Sequence, residues 1–156
     1  MWKPLANRIL LAMLVAMQAG CGEEVTPETL LRQTIDQVQD SAESRDLGDF
    51  MAHISEGYKD EGGRSWKDVR ALTQLQFIRN PKIHTLKRIT ELRLTDDTNA
   101  SATVLVALAG RPIDNASALS GLRAELMRFE LELRLGDHWR IVNASWHRAD
   151  LADFLQ

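Results

Sequence analysis

The chain has 156 residues, 44% apolar and 26% charged, enough for one packed domain and too few for two comfortable ones. Its 19 Lys and Arg against 22 Asp and Glu leave a net charge of −3, so no overall basic field exists to hold a nucleic-acid backbone, and nucleic acid is excluded as a partner class. A single cysteine excludes an internal disulfide framework and a Cys-rich zinc site.

The first element is an export signal. Lys3 and Arg8 precede an uninterrupted apolar run, Ile9 to Met17, too short for a bilayer span of about 20 residues but of the length found in secretory signals. Gln18-Ala19-Gly20-Cys21 then resembles a bacterial lipobox, with Gln18 where that pattern usually carries Leu. A plain secretory signal would need a small residue where Met17 or Gln18 stands, and would leave a lone reactive thiol. The resemblance implies a signal peptide over 1–20, a lipidated tether over 21–26 with Cys21 as the lipidation site, and a domain over 27–156. Several acyl chains anchor firmly where one binds only marginally. Gly22 after the cysteine implies a cell-envelope lipoprotein on the outer membrane, facing the periplasm. With Lys3 and Arg8 removed, 17 basic side chains face 22 acidic ones, and the net charge of −5 discourages any extra electrostatic hold on anionic lipid.

Thr26-Pro27-Glu28 reads as a helix start, with a capping hydroxyl, proline at the first helical position and an acid in the first turn. Leu30, Leu31, Thr34, Ile35, Val38 and Ala42 predict one buried stripe on a helix ending near Ser44. A second short helix is predicted over Leu47–Ile54, followed by a loop marked by Gly57, Gly62 and Gly63. Ser65 and Asp68 resemble a capping box for a third helix, Trp66–Arg79, on which Val69, Leu72, Leu75 and Ile78 are expected to be buried. Asn80-Pro81 stops it.

Beyond Pro81 the period changes to that of strands. Ile83–Thr95 and Ala100–Ala109 predict a hairpin turning at residues 96–99, and Gly110–Gly121 a longer loop. In Arg123–Leu135, Met127, Phe129, Leu131, Leu133 and Leu135 alternate with Arg128, Glu130, Glu132 and Arg134, so one face is buried and the other wet. In the last strand, His138–Arg148, Trp139 and Ile141 share one parity while Ala144 and Trp146 share the other. A bulge near Val142 and Asn143 would bring all four to one face. Residues 149–156 read as a short tail.

Three helices followed by a four-stranded antiparallel sheet, the segment Glu43 to Phe50 between the first two helices, and the closing strand Trp139 to Trp146 together resemble the nuclear transport factor 2-like cone. The passage Val69 to His84 is similar to that of bacterial lipoproteins of this fold, which have no assigned activity. The resemblance implies an α+β domain whose three N-terminal helices pack in the concavity of a curved four-stranded antiparallel sheet. A strongly curved sheet is incompletely filled by short helices, so the fold leaves an apolar pocket, and such pockets serve binders and enzymes alike. Tyr58, Trp66, Phe77, Met127, Phe129 and Trp146 are candidate lining residues. His84, Tyr58 and Asp60 are candidates for acid–base work, with Asp60 or Glu61 orienting His84 if that ring faces the cone. The ketosteroid isomerase pattern of a tyrosine in the first helix is absent. His53, His84, His138 and His147 lie on four elements without compact ligand spacing, so no metal and no cofactor is expected.

The expected function is a lipid-anchored binding module holding a small apolar ligand or an envelope protein. The alternative is an isomerase- or cyclase-like enzyme using a pocket His or Tyr with a carboxylate. A homodimer through the sheet face carrying Arg128, Glu130, Glu132 and Arg134 is a further expected arrangement.

Overall fold

The computed structural model describes residues 25–156, so the export signal and Cys21 lie outside the described residues. The elements are α1 (Pro27–Ser44), α2 (Leu47–Ala52), α3 (Trp66–Arg79), β1 (His84–Leu94), β2 (Asn99–Ala109), a 3-10 turn (Ala116–Gly121), β3 (Glu125–Leu135), β4 (Trp139–Arg148) and α4 (Leu151–Leu155). No described helix is long and apolar enough to cross a membrane.

α1 starts where its cap predicts. The Thr29 N–H donates to Thr26 Oγ1 at 3.1 Å, satisfying one of the donors that a helix start leaves unpaired. It buries Leu31, Thr34, Ile35 and Ser41. It ends at Arg45, which takes the left-handed conformation (φ 56°, ψ 34°) that glycine usually supplies at this position. The N–H groups of Arg45 and Asp46 turn back to the Ala42 and Ser41 carbonyls. The Arg45 guanidinium donates to the Phe77 carbonyl at 3.2 Å, joining the C-terminal ends of α1 and α3.

The sheet runs β1-β2-β3-β4, every pair antiparallel. α1 is tied to the β1 edge by Glu43, which accepts from the Thr85 N–H at 2.7 Å, and by an ion pair between Lys87 and Asp36. The predicted bulge is present. Glu132 pairs with Asn143 while Leu133 pairs with Ile141, so Val142 is the extra residue. Trp139, Ile141, Ala144 and Trp146 therefore stand on one face, opposite Leu135, Leu133, Leu131 and Phe129. A second irregularity at Thr90 in β1 adds curvature. On the helix side, Leu31, Ile35, Met51 and Ile54 share one core with Ala102, Val104, Leu133, Trp139 and Ile141.

Two readings of the sequence are corrected. The tail is a helix: α4 and the 3-10 turn bring Phe154 and Leu119 over Leu105 and Ala107 on the opposite face of the sheet, a second core. Both faces of the C-terminal half of β2 are consequently covered, and Arg128 of the expected dimer face pairs with Asp153 of α4 at 3.4 Å. The second correction concerns α3, which has the predicted bounds and capping box but buries none of its residues. A three-residue step advances about 300° around a helix, so a run at strict threes slips about 60° backward each time. Val69 through Ile78 thus spiral around half the helix instead of forming a stripe. The side set against the first core is Trp66 and Val69, with Phe77 turned to Phe50 of α2.

Candidate functional site

Residues 59–65 form a small hairpin between α2 and α3, with a bridge between Lys59 and Ser65 and Gly63 at φ 77°. Its interior is organised by Asp60, whose side chain is 2% exposed. The carboxylate accepts from the Arg64 backbone N–H and from its guanidinium, each at 2.9 Å. Burial opposes its ionisation, but these Arg64 donors hold the carboxyl below the usual carboxylate range. The same pairing positions the Arg64 guanidinium 4.8 Å from the Trp146 ring centroid. Trp146 in turn lies against Phe129, ring centroids 6.2 Å apart. Met127 and Arg148 are the next cross-strand pair on the same sheet face. An aromatic ledge of Phe129 and Trp146 thus forms on the concave face of the sheet, with the Arg64 guanidinium against it and Arg148 further along the same face.

The candidate lining residues separate. Met127, Phe129 and Trp146 share the concave face, and Trp146 is 36% exposed. Trp66 packs on the first core. Phe77 meets Phe50 edge-on at 6.2 Å and, with Leu47 and Ile78, lines a separate cleft of about 380 Å³ at the junction of α1, α2 and α3.

Of the acid–base candidates, Tyr58 and Asp60 come together, whereas His84 lies apart from both. Tyr58 is buried, and its hydroxyl donates to the Ala144 carbonyl at 3.3 Å. Burial, then the Asp60 charge, push the phenol up to about 12, so it keeps its proton. His84 pairs with Ala109 at the start of β1 and shares the parity of Leu86, which packs on the second core. Its ring therefore belongs to the outer face, and neither Asp60 nor Glu61 orients it. The arginine that sequence reasoning missed is Arg64. Its signal was the turn Asp60-Glu-Gly-Gly-Arg64, in which the glycines let a cation fold back on the acid.

The described histidines include one closely spaced pair, His53 and His138, whose rings stand edge-on at 6.3 Å. His53 Nδ1 is buried without a hydrogen-bond partner among the described residues, while His138 Nε2 lies 3.3 Å from the Ala52 carbonyl. Burial, then the charge of His138, lower the pKa of His53 from 6.5; Asp49 opposes this and Arg140 adds to it. The native state thus disfavours the imidazolium. As pH falls below 6.5 the unfolded chain takes up a proton that the folded chain resists, so stability is expected to fall through that window. Urea midpoints at several pH values check this, and His53→Phe is expected to flatten the dependence. An unchanged slope in that variant would assign the pH response to other groups.

No family model and no curated protein matches the chain. Solved structures do. A cystatin-like domain of unknown function from Nostoc punctiforme is 20% identical, with TM-score 0.60 over 81% of this chain and 80% of that one. A ketosteroid isomerase-like protein from Erwinia carotovora atroseptica is 9% identical, with TM-score 0.59 over 79% and 96% of the two chains. A nuclear transport factor 2-like protein of unknown function from Shewanella oneidensis is 14% identical, with TM-score 0.55 over 78% and 98%. With the element order, the bulged sheet and the helix-lined concavity, these matches show that the described residues have the fold of a nuclear transport factor 2-like cone, α+β on a curved antiparallel sheet.

Proposed function

We infer that this is a lipid-anchored binding module of the cell envelope, which holds a small apolar ligand on the concave face of its sheet. The observation that carries the reading is the ledge of Phe129 and Trp146 beside Met127, apolar surface left partly uncovered next to Arg64 and Arg148. The ligand class follows from that lining: a flat or extended apolar body with an acceptor that an arginine can meet. An isomerase- or cyclase-like reaction is less well supported, because Tyr58 is committed to a backbone carbonyl and His84 to the other face. The anchoring half of the reading rests on the lipobox resemblance at Cys21.

Native mass spectrometry of residues 22–156, exported without lipid, tests the binding half. A discrete added mass is expected, and it is expected to be lost in Phe129→Glu. A bare mass in every preparation overturns it. Fractionation of the full chain in high salt, which screens any electrostatic contact with lipid, tests the anchor: Cys21→Ser is expected to move the protein from the membrane to the soluble fraction, and retention in the membrane under that condition overturns lipidation.

A further inference from the structure

α3 carries an exposed apolar face as well as its packed one. Leu75 and Ile78 are 39% and 71% exposed on the side turned away from Trp66 and Val69, and Leu72, about 60° round the helix from Val69, is 44% exposed beside them. Around them stand Lys67, Arg79 and Lys82, all exposed, while Arg70, also exposed, lies about 100° from Val69 on the flank of Trp66; within residues 66–82 there is one acid, Asp68. None of these four cations has an ion-pair partner among the described residues. Asp68 is occupied at the helix start, where it accepts from the Ser65 N–H at 2.8 Å and its hydroxyl at 2.7 Å.

The chain is acidic as a whole, so this segregation is a local reversal of its charge. We propose that the outer face of α3 docks on an anionic phospholipid surface, with Leu72, Leu75 and Ile78 entering the headgroup boundary and Lys67, Arg79 and Lys82 meeting lipid phosphates. The complementarity is twofold, because interfacial helices combine exposed leucines with flanking Lys and Arg, and unpaired cations gain most beside a negative leaflet. The expectation from net charge alone, that anionic lipid is not held, is thereby reversed for this face. The proposal goes beyond the apolar-ligand reading and uses different residues.

Residues 22–156, which contain both cores and lack Cys21, are mixed with vesicles of phosphatidylglycerol and phosphatidylcholine, or of phosphatidylcholine alone, and sedimented. Binding to the anionic vesicles that weakens with added salt is expected. Lys67→Gln and Arg79→Gln are each expected to lower partitioning roughly five-fold. Leu75→Glu with Ile78→Glu is expected to abolish it while circular dichroism is unchanged, since both side chains are exposed. Absence of binding by the unaltered chain, equal binding to neutral vesicles, or unchanged binding in these variants overturns the proposal. Because Cys21 is absent, none of these outcomes bears on lipidation, and Phe129→Glu, which removes the ledge, is expected to bind vesicles normally.

Discussion

Replacing Trp139 with alanine is expected to cost about 3–5 kcal/mol, a large part of the roughly 5–15 kcal/mol that holds a domain of this size folded. Trp139 is 1% exposed and is the largest fully buried side chain among the described residues, packed where α1, α2 and β4 share one core. Trp139→Phe is expected to behave quite differently. The indole Nε1 is buried with no partner among the described residues, a burden of about 1–3 kcal/mol that phenylalanine removes. That relief offsets much of the small cavity left behind, so a net loss of about 1 kcal/mol is expected. Urea denaturation of both variants measures the difference. A phenylalanine variant as damaged as the alanine one would show that the N–H is satisfied in solution, by an ordered water for instance.

Phe154→Ala is expected to weaken the domain by about 3–5 kcal/mol as well, although the residue stands two positions from the C-terminal residue. Phe154 is buried against Leu105 and Ala107, and α4 is further held by the pair of Arg128 with Asp153 and by the Arg88 guanidinium on the Phe154 carbonyl at 3.3 Å. Deleting residues 151–156 is expected to go further and uncover the apolar patch around Leu105, Ala107 and Leu126. The truncated chain is expected to self-associate through the sheet face in sedimentation equilibrium, where the chain that retains residues 151–156 has that patch roofed by its own helix. A truncated chain that is monomeric and as stable as the original would show that the second core contributes nothing.

Both expectations turn on burial, and burial is where sequence and structure part. Local chemistry was legible. Thr26-Pro27 and the Ser65–Asp68 box marked helix starts to the residue, because a cap is satisfied by atoms two or three positions away. The parity break between Ile141 and Ala144 marked the bulge, because strand faces alternate with a period of two and only an extra residue can realign them. The aromatic ledge was legible in part, since alternation along β3 and the bulge in β4 put Phe129 and Trp146 on the inner face, whereas their contact depends on the register between the strands.

What the sequence determined by itself was therefore the order of α1, α3 and the four strands, the limits of the two helices and, within two residues, those of the strands, and the side on which each β3 and β4 residue stands. Only the tertiary structure decided which of those sides is covered. β2 has small and branched residues on both faces, and whether Leu105 is buried depends on a helix more than forty residues later. His84 reached the outer face through the register of β1 on Ala109. Arg64 met Trp146 across 82 positions of chain. α3 kept its leucines in water because nothing in the described chain folds over them. Periodicity is a property of neighbours along the chain, whereas burial is a property of what arrives from elsewhere to exclude water.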